Sequence, residues 1–287
     1  MPIFKRGREV AVRIIKIFNT NAVLVDDKGV EKIATGKGVG FGRKKKDIVP
    51  NHLVEKIFVT DEDKSDLIAL LKQIPEACFN ASEEIIRYAE EKLGIILNNH
   101  IHILLADHIS FTIERLQDGI FMHNKFLKEV EVLYPEEFLV AQWALVYLSN
   151  RFDLQFPLDE AVYITMHLHS ARANHPGTKK NLKEVTIISE TVDLISKELK
   201  IDFDDLSMRL NYTRLLTHLR LMLERMETGT TEPLADEINY LIINKYQKSY
   251  QLALQIVAMI QEKFKLTVPK TEYSYLTLHL ERLLKSE

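Results

Sequence analysis

Four histidines are the residues most able to do chemistry, because they recur in register. Residues 107–119 read DHISFTIERLQDG and residues 217–229 read THLRLMLERMETG, which sets His108 over His218 and Arg115 over Arg225 at an offset of 110. VYITMHL at 162–168 matches SYLTLHL at 274–280, with His167 over His279 at an offset of 112, and the same offset sets Phe156 and Pro157 over Val268 and Pro269. About 110 residues are therefore repeated in tandem, and each copy carries two aligned histidines, 59 and 61 residues apart.

Several chemistries compete for these histidines. A histidine bordering an apolar helical face is most often structural, and His108 does follow Leu104 and Leu105 by four and three residues. Metal binding is disfavoured: His100 and His102, or His167 and His169, stand two apart and point in different directions on a helix, and no H-E-x-x-H occurs. Asp107 and His108 stand in the reverse order of the His-Asp dipeptide of metal phosphohydrolases. THLRLMLERM could be a sensor-kinase phosphoacceptor helix, but no ATP-binding glycine motif follows it. The remaining option is a phosphoryl acceptor: a neutral imidazole is nucleophilic at neutral pH, and one ring nitrogen can take the group while the other is held by a neighbour. Two aligned pairs in a duplicated segment fit that option better than scattered core histidines.

The elements that must carry them read as helices. IHILLADHISFTIERLQDG has apolar residues at 101, 104, 105, 109, 113 and 116, and its Asp118-Gly119 end is a C-cap signal. EEFLVAQWALVYLSNRF at 136–152 repeats the style, and Pro157 opens a further helix through His167 to about Ala173. The second copy offers LTHLRLMLERMETG, YQLALQIVAMIQEKF and, after Pro269, YSYLTLHLERLL. Each repeat, 66–172 and 181–287, is expected to be an all-α bundle of about five helices, with ANHPGTKKN at 173–181 as the boundary.

Residues 1–60 differ. Up to residue 59 they hold 13 Lys/Arg against 6 Asp/Glu, while the rest of the 287-residue chain holds 25 against 35. A basic head on an acidic body points to a polyanion. VAVRIIKIF and AVLVDD flank a turn, NTN; EKIATG and HLVEKIFV follow, so four short strands make a small antiparallel sheet. Such a sheet buries little by itself, so dimerisation is expected. GKGVGFGRKKKD at 36–47 combines glycines, Phe41 and a cationic run, which suits nucleic acid. It has neither the spacing of a dinucleotide fingerprint nor a P-loop Gly-Lys-Ser/Thr. One cysteine, Cys78, excludes an internal disulfide framework. No apolar run reaches a membrane span of about 20 residues, and MPIFKRGREV lacks a signal peptide's apolar core, so a cytoplasmic protein without membrane insertion is expected.

VRIIKIFNTNAVLV followed by IATGKGVGFGRKKKD resembles the co-antiterminator RNA-binding domain of the bacterial BglG/SacY-type transcription antiterminators. DHISFTIER and ITMHLHSAR are similar to the two acceptor-histidine motifs of that family's phosphotransferase-system regulation domains. The resemblance covers essentially the whole chain in the family's domain order, and HIHILLADH leans toward the glucose-permease branch. It implies RNA contacts by Lys16, Asn21, Gly36, Lys37, Gly38 and Phe41, and phosphorylation of His108, His167, His218 and His279. It also implies a homodimer, a leader-mRNA hairpin as ligand, and the phosphotransferase-system phosphocarrier and the sugar permease's EIIB domain as phosphoryl donors. Binding the hairpin would keep a competing terminator from forming; the protein would need no cofactor and would not be an enzyme. His100, His102 and His169 are not carried over, and Thr217 stands where the first copy has Asp107. Residues 1–9 precede the family's usual start; they carry Lys5, Arg6 and Arg8 but no strand pattern, and should add only non-specific attraction. The rivals are a histidine phosphorelay protein and a DNA-binding activator with the same repeats, the latter requiring a helix-turn-helix that 1–60 does not suggest.

Overall fold

A computed structural model describes residues 12–36, 38–54, 56–59, 73–172, 178–229 and 234–285. Lys37, the leader 1–9, the helical reading of 66–72 and most of the 173–181 boundary lie outside them.

β1 (Val12–Asn19), β2 (Ala22–Asp27), β3 (Val30–Thr35), β4 (Ile48–Val49) and β5 (Lys56–Val59) form an antiparallel sheet in the order β4-β1-β2-β3-β5. β-branched residues alternate onto one face, where Val12, Ile14, Val23, Val25 and Ala34 are buried. The two-residue β4 adds an edge beyond the four strands expected. HLVEKIFV is not one strand: Pro50 is followed by a 3-10 turn at Asn51–Leu53, and the ladder resumes at Lys56. Val39, from the glycine loop, plugs the same core and is fully buried.

Ten α-helices follow among the described residues: α1 (Glu76–Leu93), α2 (Ile101–Gln117), α3 (Leu127–Leu133), α4 (Pro135–Phe152), α5 (Glu160–Ser170), α6 (Thr178–Leu199), α7 (Arg209–Thr228), α8 (Asp236–Lys245), α9 (Gln247–Phe264) and α10 (Lys270–Leu284). The chain divides into two compact units, Met1–His123 with Leu139–His175, and Asn124–Phe138 with Pro176–Glu287.

In the first unit, α2 packs on α1 and α5. Phe79, Ile86, Leu105, Ile109, Leu148 and Leu168 are buried, each worth about 1.5–3 kcal/mol. Leu104 departs from the expected apolar stripe: it is 40% exposed, because the buried face runs through Leu105 and Ile109 instead. α2 ends in a Schellman turn: Gly119 takes φ +73, its N–H donates to Leu116 O, and Ile120 N–H donates to Arg115 O.

In the second unit, α9 and α10 pair, α6 packs on α7 and α9, and α10 also meets α7 and α8. The short α3, although it precedes the 173–181 boundary, packs on α6 and α7. Glu129 and Val130 are buried there, and Arg220 Nη1 donates to Leu133 O at 3.5 Å.

Candidate functional site

The antiparallel faces of α2 and α5 bring His108 and His167 together, with ring centroids 5.3 Å apart and Tyr163 at 5.4 Å from His108. In the second unit α7 and α10 do the same: His218 and His279 stack at 3.8 Å with an interplanar angle of 25°. The two histidines that each copy carries thus meet in space, one pair in each unit.

Beneath each pair lies a feature that the sequence reading did not single out. Glu160, in the first turn of α5 and 1% exposed, takes a hydrogen bond from Arg115 Nη2 and another from Thr112 Oγ1 at 3.2 Å. Arg115 Nη1 donates to Ile120 O at 2.9 Å, so the Schellman turn also braces the guanidinium. His108 Nε2 stands 3.5 Å from both Glu160 Oε2 and Thr112 Oγ1. In the second unit Glu272, fully buried in the first turn of α10, is gripped bidentately by Arg225, Nε to Oε1 at 2.8 Å and Nη2 to Oε2 at 2.7 Å. Arg225 also lies 5.9 Å from the Tyr275 ring. Glu160 and Glu272 follow Pro157 and Pro269 by three residues and stand at the 112 offset, so P-x-x-E in both copies was the available signal. The copies differ beside the ion pair: Thr112 is replaced by Met222, and His218 Nε2 is buried without a hydrogen-bond partner.

These surroundings keep the rings neutral. Burial, then His167 and Arg115, push His108 down to about 3, and burial pushes His167 down to about 4. Burial, then His279 and Arg225, push His218 down to about 3, and burial, then Arg282 and Arg225, lower His279. A neutral imidazole retains a lone pair for attack across the physiological range. There is a stability consequence. Below the ordinary histidine value of 6.5 the unfolded chain binds protons that the folded chain refuses, so stability falls as pH drops from there toward the folded values. At pH 5 each deeply buried ring should cost about 2 kcal/mol. Thermal unfolding should therefore show a midpoint that declines between about pH 6.5 and 4, and His108→Ala with His167→Ala should flatten the decline of the first unit.

Of the extra histidines, His102 is buried with Nδ1 2.5 Å from Glu83 Oε1, which is a structural role. Among the described residues no group of three or more His, Cys, Asp or Glu is arranged to hold a metal ion, and no helix is long and apolar enough to cross a membrane.

In the sheet, hydrogen bonds join the turn to the glycine loop. Asn21 Oδ1 accepts Gly38 N–H at 2.6 Å and Asn21 O accepts Gly36 N–H at 3.0 Å. Gly40 N–H donates to Thr20 O at 2.7 Å; a Cβ at Gly40 would meet Asn19 O at 2.4 Å, so only glycine fits that approach. Gly38 takes φ +73. Arg43 Nη1, read from sequence only as part of a cationic run, turns back to Gly38 O at 2.8 Å and Val39 O at 3.1 Å. Phe41 is left at the tip, 74% exposed. Lys16, on β1, has its ammonium 5.8 Å from the Phe18 ring. Asn21 on the β1–β2 turn is thus brought together with Gly36, Gly38 and Phe41 on the glycine loop, with Lys16 on the adjoining strand. The turn is engaged within the same unit: Thr20 Oγ1 donates to Glu76, and Asn21 Nδ2 donates to Asn80 Oδ1, both on α1.

Residues 12–66 match the CAT RNA binding domain family, and residues 83–171 and 189–283 match the PRD domain family. The transcription antiterminator LicT of Bacillus subtilis (strain 168) is 34% identical over 279 residues, which is 96% of this chain and 99% of that protein. The PtsGHI operon antiterminator of the same organism is 33% identical over 93% of this chain and 95% of its own length. The beta-glucoside operon antiterminator of Dickeya chrysanthemi is 31% identical over 95% and 96%. Among solved structures, the crystal structure of GlcT CAT-PRDI aligns with a TM-score of 0.51 at 34% identity, covering 57% of this chain and 99% of that one.

Proposed function

Because the chain belongs to the transcription antiterminators that join a CAT RNA-binding domain to two PRD domains, we propose that its sheet binds a leader-mRNA hairpin as a homodimer and so blocks a terminator. The protein is an RNA-binding regulator controlled by phosphotransferase-system phosphorylation, and not an enzyme. The phosphocarrier and the EIIB domain of a sugar permease donate the phosphoryl groups, and His108, His167, His218 and His279 receive them, in the cytoplasm. Relatives named for the PtsGHI operon and as GlcT support the glucose-permease branch. The regulatory domains are residues 66–172 and 181–287, after an RNA-binding domain at 1–60.

One observation carries this reading above the others: each repeat turns its two acceptor candidates toward each other, 5.3 and 3.8 Å between centroids. The surroundings keep those rings neutral and nucleophilic. A helix-turn-helix activator finds no support in residues 12–59, whose regular elements are strands with one short 3-10 turn.

The test is binding of the full chain to its leader hairpin before and after phosphorylation by purified phosphocarrier and EIIB. Affinity should change with phosphate incorporated at the four histidines; a phosphorylated chain that binds the hairpin unchanged would remove the regulatory reading. In the same assay Asn80→Ala should strengthen hairpin binding, because it frees Asn21 Nδ2 for a base edge. One recovered hydrogen bond is worth about 0.5–1.5 kcal/mol, hence a gain of about two- to tenfold.

A further inference from the structure

We infer that Arg115 and Arg225 bind the phosphoryl group once it is on His108 or His218, and that each abandons its buried glutamate to do so. The inference rests on the histidines being the acceptors. It assigns a role to an ion pair that the transfer itself leaves unused.

The pair occurs twice. Arg115–Glu160 and Arg225–Glu272 stand at the 110 and 112 offsets of the histidines themselves. Core support alone does not call for charge there, since a buried ion pair is often matched or bettered by apolar residues of similar volume. The position suggests another use. Glu160 Oε2 is 3.5 Å from His108 Nε2, and the Arg225 guanidinium lies by Tyr275, one helical turn before His279. Donors are in reserve as well. Arg115 Nε is buried without a partner. The Arg225 fork uses Nε and Nη2, so Nη1 stays outside it, and the side chain is 28% exposed.

In the transfer a ring nitrogen's lone pair attacks phosphorus. The new N–P bond forms as the donor's bond to phosphorus breaks, the electron pair leaves with the donor, and the ring sheds the proton on its other nitrogen. The product carries a charge of about −1.5 to −2 beside a buried carboxylate. A guanidinium matches phosphate oxygens in the same forked geometry that it uses for carboxylate, and phosphate is the more highly charged partner. When arginine turns to it, Glu160 or Glu272 is left buried and uncompensated. Both lie in the first turn of the helix that carries the second histidine, three residues after Pro157 or Pro269. Relief requires that turn to open toward water. Phosphorylation is thereby converted into backbone movement at the start of α5 or α10. The exchange is freer in the second repeat, where arginine is more exposed and no counterpart of Thr112 holds the carboxylate.

The experiment uses the full chain and potassium phosphoramidate, whose P–N bond breaks to release ammonia, which takes up the proton shed by the ring. Mass spectrometry identifies the modified histidines, and amide hydrogen exchange follows residues 270–273, just after Pro269. Phosphate on His218 should speed exchange there at least about tenfold, as local opening exposes the amides. Glu272→Gln, which carries no charge to strand, should show no such acceleration. Arg225→Gln should shorten the lifetime of phosphohistidine 218, and Arg225→Lys should restore part of it, which a purely structural arginine would not do. Should Arg225→Gln fail to fold, the exchange comparison on the native chain decides alone. Unchanged exchange at 270–273 with His218 phosphorylated would overturn the partner exchange. Absence of phosphate from all four histidines would instead overturn the acceptor reading, and the inference with it.

Discussion

Antitermination by the variant His108→Ala, His167→Ala should no longer require the inducing sugar. A phosphoryl group on His108 would stand beside a carboxylate 3.5 Å from the ring, in a pocket where the ring is only 15% exposed. The helices around it belong to the acidic part of the chain, which holds 35 Asp/Glu against 25 Lys/Arg beyond residue 59. If two copies meet across a two-fold axis, every added charge faces its own mate, so phosphorylation loosens that contact. The first regulatory domain is then the inhibitory one, and the sheet, proposed to read RNA as a dimer, is released when the acceptors are gone. His108→Asp carries one charge where phosphohistidine carries nearly two, and should lower activity with or without sugar. A leader-reporter assay in cells, run beside phosphate incorporation from purified donors, reads both variants. A double alanine variant that stays fully sugar-dependent would return His108 and His167 to a structural role. For the second domain the arrangement differs: Met222 replaces Thr112, Thr217 replaces Asp107, and the rings stack more closely.

The histidine pairs were legible because duplication makes chemistry visible without alignment. A residue that recurs at a fixed offset, on a helix whose ends are marked by Gly119 or Pro157, can be placed on a face before any coordinates exist. The sheet was legible for a related reason: β-branched alternation and the NTN turn are local signals. What stayed hidden depends on partners distant in sequence. Glu160 meets Arg115 across 45 residues, and Glu272 meets Arg225 across 47. Period tells that Glu160 opens a helix, but not that its carboxylate is buried beneath an imidazole.

Asn21 makes the same point from the other side. Sequence suggests a polar turn residue able to touch a base. In the fold that side chain accepts the Gly38 N–H and donates to Asn80, so it builds the loop and ties the turn to α1. The segment Asn124–Phe138 is a third case. Nothing local tells that Glu129 and Val130 are buried in the second unit and not the first. β4 escaped because two residues carry no alternation to detect.

The loop should tolerate substitution very unevenly. Phe41 is 74% exposed at its tip while the backbone beneath is tied by Gly38, Gly40 and Arg43. An aromatic ring held outward on a rigid base meets no packing need inside the chain and is suited to stacking on an unpaired base of a loop or bulge. Phe41→Ala should leave the sheet's stability near that of the native chain and weaken cognate hairpin binding by about 1–3 kcal/mol, or roughly five- to 150-fold. Asn21→Ala should weaken binding too, but with a stability cost, because Gly38 N–H loses its acceptor and the loop loosens. Lys44 is exposed beside the loop and has a point charge to offer. Lys44→Ala should reduce affinity for all RNA and lower the salt slope by about one, without changing the preference for the cognate hairpin. Titrations of cognate and scrambled hairpins at several salt concentrations, paired with thermal unfolding of each variant, separate the three. Equal losses on both RNAs for Phe41→Ala and Asn21→Ala would mean that the loop supplies adhesion and that recognition lies elsewhere on the sheet.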